Sequence, residues 1–214
     1  MIKTKILEAT MADREKAARS IETAVKLVLE GGVIVFPTET SYGLGADATN
    51  AEALNKVFAL KGREHDKGLP VIAGDLAMMR QYGEITPQAE KLARSFMPGP
   101  LTLVVERKPN SLPDAIGGHG VAFRIPGNEI ARAISAEAGV PITATSANKS
   151  GEPSIYRISE VKQLFEGKVD AIVSSGDLAH TPPSTIVNLC GAEPILVREG
   201  PVPFKEVLAT LKQQ

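Results

Sequence analysis

Residues 33–45 read VIVFPTETSYGLG. The four apolar residues that lead it lie between Gly31-Gly32 and Pro37, and they have the length and β-branched character of a short buried strand. The residues after Pro37 are polar. Thr38, Glu39, Thr40, Ser41 and Tyr42 bring four hydroxyls and one carboxylate before Gly43 and Gly45. In sheets flanked by helices, ligands bind just past strand ends. The stretch therefore predicts an α/β fold and puts the first candidate site residues at the end of one strand.

The same alternation extends in both directions. Upstream, residues 14–30 place Ala17, Ile21, Ala24, Val25, Val28 and Leu29 on one helical face, and the glycine pair ends the helix. Downstream, helices are expected at about 50–60, 86–96, 128–138, 159–165 and 204–211, and strands at 69–73, 101–106, 121–125, 142–145, 169–173, 185–189 and 195–198. Asn50 or Thr49 caps the first of these helices, and Thr86-Pro87 opens the second. This order predicts one α/β domain over residues 1–214, with a twisted, mixed sheet flanked by helices.

Composition narrows the function classes. The 214 residues are 43% hydrophobic and 23% charged, which is ordinary for a soluble domain, and 4% aromatic with no Trp, so the core is aliphatic. A net charge of −1 gives no global attraction to nucleic acid or anionic lipid. Cys190 is the one cysteine, so no internal disulfide and no thiolate metal cluster can form. No apolar run approaches the roughly 20 residues of a membrane span, and MIKTKILEAT lacks the apolar region of a signal peptide. The cytoplasm is the expected location, with no membrane partner.

The candidate chemistry lies at strand ends. Beyond Thr38–Tyr42 of the opening stretch, residues 145–151 read TSANKSG, residues 182–185 read PPST, and residues 198–200 read REG. Lys61-Gly62-Arg63 and Lys67 fall between a helix and a strand, and Arg124 ends another strand. Each piece alone has a plain structural reading as a turn former, a cap or a surface ion pair. Together they supply fixed cations, hydroxyls and glycine-flanked amides. His65, His119 and His180 sit near Gly, Pro or charged residues and read as exposed. The phosphate-loop pattern G-x-x-x-x-G-K-[ST] is absent, and Gly43-Leu44-Gly45 lacks the third glycine of a dinucleotide motif. A site rich in Lys, Arg and hydroxyls but poor in acid–base groups suits phosphoryl or nucleotidyl transfer, which needs positioning and charge stabilisation.

PTET-SYGLG, KGR, PGPLTLV, FRIP, TSANKSGEPS, PSTIV and LVREG, in this order and spacing, resemble the YrdC-type threonylcarbamoyl-AMP synthase family over a core from about residue 14 to residue 200. The resemblance implies the YrdC-like fold in its short, single-domain form. It also implies a reaction in which L-threonine, bicarbonate and ATP give threonylcarbamoyl-AMP and pyrophosphate, with Mg²⁺ accompanying ATP and no tightly bound cofactor. The product would pass to tRNA threonylcarbamoyl-transfer machinery. By the same resemblance, Thr40, Arg124 and Ser184 contact threonine. Lys61 and Arg63 are the catalytic cations on the phosphates, and Lys67, Ser146, Asn148 and Arg198 complete the nucleotide contacts.

The chain departs from the family's pattern at Ile72, Gly120 and Tyr156, where many relatives carry polar residues. These departures leave room for two rivals. One is a paralogue on the same fold with changed or lost activity. The other is an RNA-binding module whose groove of Lys61, Arg63, Lys67, Arg124, Lys149 and Arg198 tracks a phosphate backbone, though few aromatics are available to stack bases.

Overall fold

The computed structural model describes residues 2–62 and 68–213. Its elements are β1 (Lys5–Glu8), α1 (Arg14–Leu29), β2 (Ile34–Pro37), β3 (Tyr42–Gly45), α2 (Ala51–Lys61), β4 (Val71–Ile72), α3 (Leu76–Tyr82), α4 (Pro87–Phe96), β5 (Leu101–Glu106), β6 (Gly120–Arg124), α5 (Glu129–Ala138), β7 (Ile142–Thr143), β8 (Thr145–Ser146), α6 (Ile158–Phe165), β9 (Ala171–Ser174), β10 (Thr185–Asn188), β11 (Ile195–Arg198) and α7 (Phe204–Lys212), with a 3-10 turn at Asp114–Ile116.

The α/β class expected from the sequence holds. The strands divide between two mixed sheets, ordered β1-β9-β2-β3-β8 and β11-β10-β5-β6-β4-β7. The division is made where one continuous strand was expected, over residues 142–145. Ile142 and Thr143 pair with β4, Thr145 and Ser146 pair with β3, and Ala144 joins the two sheets. At this seam the Ala144 N–H donates to Pro70 O (2.8 Å) and the Ala147 N–H to Tyr42 O (2.8 Å).

β2 reads as a continuous apolar run because both of its faces are covered. Val33 and Val35 enter the larger core with Leu44, Leu101, Leu103 and Phe123. Ile34 and Phe36 enter a second core built with α1 and α5, alongside Ala24, Val28, Ile130 and Ile134. Helix starts are fixed by side-chain caps, which satisfy amides that have no partner within the helix. Asp13, Asn50, Asp75, Thr86 and Asn128 each accept from a backbone N–H two or three residues on. At its other end α2 closes on Gly62, whose φ of 59° and ψ of 39° suit glycine.

Three elements lie outside the pattern read from the sequence. β1 is a four-residue edge strand, parallel to β9. β3 carries two glycines that weaken any strand signal, yet it pairs with β2 through Pro37↔Tyr42 to Ile34↔Gly45. α3 is a seven-residue helix started by Asp75, whose side chain accepts from the Met78 N–H at 2.7 Å.

Candidate active site

The period-2 geometry of strands builds the floor of a cavity of about 820 Å³. On β5, Leu101, Leu103 and Val105 point into the core, while Thr102 and Val104 line the cavity. On β6, Val121 and Phe123 are core residues, while Gly120, Ala122 and Arg124 line it. Val187 against Ile186 and Asn188 repeats the pattern on β10. The facing wall is the end of the other sheet, with Thr38, Thr40, Ser41, Gly43, Thr145 and Ser146. The cavity thus sits at the seam between the sheets.

The polar sequel to β2 now has an explanation. Residues 38–41 are the loop of the β2–β3 hairpin. Thr38 Oγ1 organises it, donating to Ser41 O (2.6 Å) and accepting from the Thr40 and Ser41 amides (both 3.2 Å). Its hydrogen is spent on Ser41, so in the 3.0 Å contact with Thr40 Oγ1 the donor is Thr40. Thr40 Oγ1 in turn accepts from Arg124 Nη1 at 3.3 Å, and the same nitrogen donates to Glu39 Oε1 at 3.2 Å. Arg124 is buried, and burial lowers its pKa while Glu39 opposes that shift. Glu39 Oε2 is a buried oxygen with no hydrogen-bond partner among the described residues. Tyr42 turns away into the core and donates to Gly176 O at 2.6 Å.

A second cation sits at the cavity mouth. Arg198 Nε donates to Ser184 O (2.9 Å) and Nη2 to Ser184 Oγ (3.2 Å). Ser184 Oγ also shares a 2.8 Å bond with Thr102 Oγ1. Burial, and after it the charge of Arg124, pull the Arg198 pKa down.

The third cluster is the turn after β8. Ser146 Oγ donates to Asn148 Oδ1 at 2.6 Å, and the Asn148 side-chain amide donates to Glu152 O. Lys61 stands behind this turn. It is only 4% exposed, and its Nζ donates to Ser146 O (2.7 Å), Asn148 Oδ1 (2.9 Å) and Asn148 O (3.1 Å).

Of the residues singled out in the sequence, Thr40, Arg124, Ser146, Asn148, Ser184 and Arg198 line this one cavity. Arg63 and Lys67 lie outside the described residues, as does His65. The expected direct contact of Lys61 with phosphates meets a different arrangement. Lys61 is not among the lining residues, and its ammonium group braces the 146–148 turn from behind. The sequence reading passed over Glu39 as a partner of Arg124, and Thr102, Asn188 and Cys190 as lining residues. Thr102 did leave a signal, since it is the polar residue inside the otherwise apolar run LTLVV.

The three departures also find their places. Ile72 is fully buried in the core beside α1 and α5. Gly120 lines the cavity, and an added Cβ there would lie 3.1 Å from Val104 Cγ1 and 3.5 Å from Cys190 Sγ, so glycine keeps this end wide. The Tyr156 ring stacks on the exposed His180 with centroids 4.3 Å apart, and its hydroxyl donates to Thr181 O at 3.2 Å.

Two guanidiniums and a row of hydroxyls converge where two mixed sheets meet, in an α/β domain with a cavity lined by cations and hydroxyls. Comparison with known proteins gives its family. The family model Sua5_yciO_yrdC, described as "Telomere recombination", matches residues 26–200, and the chain belongs to this family. A protein of Methanocaldococcus jannaschii is 32% identical over 206 residues, covering 96% of this chain and 98% of that protein. The threonylcarbamoyl-AMP synthase of Bacillus subtilis is 36% identical over 194 residues, covering 89% of this chain and 56% of the longer relative. The crystal structure of P. abyssi Sua5 complexed with L-threonine superposes with a TM-score of 0.90 at 35% identity, covering 98% of this chain and 61% of that one.

Proposed function

We propose that the protein is an L-threonylcarbamoyladenylate synthase, a nucleotidyltransferase that makes threonylcarbamoyl-AMP and pyrophosphate from L-threonine, bicarbonate and ATP. The observation that carries this reading is the convergence of Thr40, Arg124, Ser146, Asn148, Ser184 and Arg198 on one cavity of about 820 Å³. That volume suits a nucleotide beside a small amino acid. The neutral amine of threonine combines with bicarbonate to give a carbamate and water. A carbamate oxygen then attacks the α-phosphorus of ATP, and the bond to the bridging oxygen breaks as pyrophosphate leaves. Chemistry of this kind asks a protein for placement and charge stabilisation.

Arg124 offers a buried guanidinium to the threonine carboxylate, with Thr40 and Glu39 holding it in position. Ser146 and the Asn148 turn, braced by Lys61, present hydroxyl and amide groups to the nucleotide. Arg198 adds a cation at the mouth. Among the described residues no group of three His, Cys, Asp or Glu is placed to hold a metal, and Glu152 is the carboxylate that lines the cavity. This donor set fits Mg²⁺ carried in on the ATP phosphates and held by few protein groups. When bound, the ion offsets charge on the departing pyrophosphate.

The product would serve tRNA threonylcarbamoylation through a separate transfer machinery. No helix among the described residues is long and apolar enough to cross a membrane, and we place the activity in the cytoplasm. The test is pyrophosphate release from ATP with threonine and bicarbonate supplied or withheld, run on the wild type and on Thr40→Ala. Release that needs both co-substrates, with a threonine KM about tenfold higher in the variant, supports the reading. Release indifferent to threonine would overturn it.

A further inference from the structure

Thr102 sits on β5 with its side chain on the cavity floor, and it is 3% exposed. Its hydroxyl makes one hydrogen bond among the described residues, the 2.8 Å contact with Ser184 Oγ. Ser184 is buried too, and its Oγ accepts from Arg198 Nη2 while its carbonyl accepts from Arg198 Nε. The hydrogens can be counted. Thr102 and Ser184 together carry two hydroxyl hydrogens. Whichever way the bond between them points, it consumes one, and Arg198 brings its own. One hydroxyl hydrogen is therefore left over, on a pair that lines the cavity, with no acceptor in the protein among the described residues.

We infer that Thr102 and Ser184 act as a single hydrogen-bond donor toward an oxygen of the amino-acid substrate, with Thr102 as a positioning residue that fixes the Ser184 hydroxyl and, through it, the Arg198 guanidinium. The inference rests on the proposed function and extends it to a residue that supplies no charge. Neither hydroxyl does the task alone. Removing Thr102 leaves the Ser184 hydroxyl anchored among the described residues by Arg198 Nη2 alone, and removing Ser184 leaves Thr102 without its partner. Donation from the Arg198 cation to Ser184 Oγ also strengthens the outgoing bond, because hydrogen bonds in a chain polarise one another.

The test is a double-mutant cycle on the full chain with Thr102→Val, Ser184→Ala and the double variant. Thr102→Ser is the rescue, and thermal melts check folding. Threonine binding is measured by calorimetry alongside KM and kcat. A single donor predicts that each single variant raises the threonine Kd and KM about tenfold, that the double variant is no worse than either, and that Thr102→Ser restores binding. Additive losses, or Thr102→Val binding threonine like the wild type, would overturn the inference and leave the proposed function standing. A wild-type protein that does not bind threonine overturns both. If Thr102→Val fails to fold, Thr102→Ala and Thr102→Ser decide, since only the second keeps a hydroxyl.

Discussion

Arg124 and Arg198 line one cavity, close enough that the charge of the first adds to burial in pulling the second below its ordinary pKa. Like charges gathered in a partly dry site favour any anion that can sit between them. ATP, pyrophosphate and threonine should therefore each raise the melting temperature. A ligand at a hundred times its Kd adds about 2.7 kcal/mol. Thermal shift against ligand concentration checks this, and Arg198→Gln should shrink the response to ATP. A wild-type melting temperature unmoved by all three would contradict it.

The Arg124–Glu39 pair also joins the β2–β3 loop to β6. Arg124→Met strips Glu39 Oε1 of its donor beside an Oε2 that has no partner among the described residues. The expected cost is about 1–3 kcal/mol, held below that of a deeply buried pair because the Glu39 side chain is 21% exposed. Adding Glu39→Gln should recover part of the loss, since no charge then remains uncompensated. Urea denaturation of the two single variants and the double variant measures both numbers.

Lys61→Met keeps the aliphatic stem and deletes three donated hydrogen bonds at once. Ser146 O, Asn148 O and Asn148 Oδ1 lose a charged donor. We expect a stability loss of about 1–3 kcal/mol and a tenfold or so rise in the ATP KM, with the threonine KM little changed. Equal rises in both would mean that the turn is not a nucleotide element.

Cys190 lines the cavity, and burial together with Glu106 raises its pKa. A raised thiol pKa means less thiolate at neutral pH, and the thiolate is the nucleophile. Iodoacetamide should modify Cys190 more slowly than free cysteine at pH 7.5, and the rate should climb about tenfold per pH unit until the thiol ionises. ATP should slow the reaction at every pH. Mass spectrometry of quenched samples gives the rates.

Gly200 packs against the backbone of Pro183, Ser184 and Thr185, where the chain enters β10. An added Cβ would strike Pro183 O and lie 2.6 Å from Thr185 N and 2.8 Å from Ser184 C. These are backbone atoms, which cannot rotate away. Gly200→Ala should cost about 1–3 kcal/mol and weaken threonine binding through the displaced Ser184. Differential melting and calorimetry on the one variant separate the two effects.

The α/β class and six of the residues that line the candidate site were legible because both rest on local signals. Strands such as β2 and β5 are apolar runs, Thr40 lies in the short polar loop that follows β2, and Ser146 closes β8. The features that escaped were long-range. That Ala144 separates two sheets depends on which strands residues 142–143 and 145–146 meet, and no window of sequence states it. Glu39 and Arg124 are 85 residues apart, and Thr102 and Ser184 are 82 apart. The sequence placed Lys61 at the phosphates and gave no sign of the 146–148 turn that receives its ammonium group, which lies 85 to 87 residues on.

β5 gives alternate side chains to the core and to the cavity. A shift of its pairing by a single residue would swing Leu101, Leu103 and Val105 into water and drive Thr102 into the hydrocarbon interior. Registry errors in this strand are thus self-eliminating: a molecule that mispairs forfeits its structure before it can persist as an intact but inert species. In any preparation, the fraction able to bind should track the fraction that is folded.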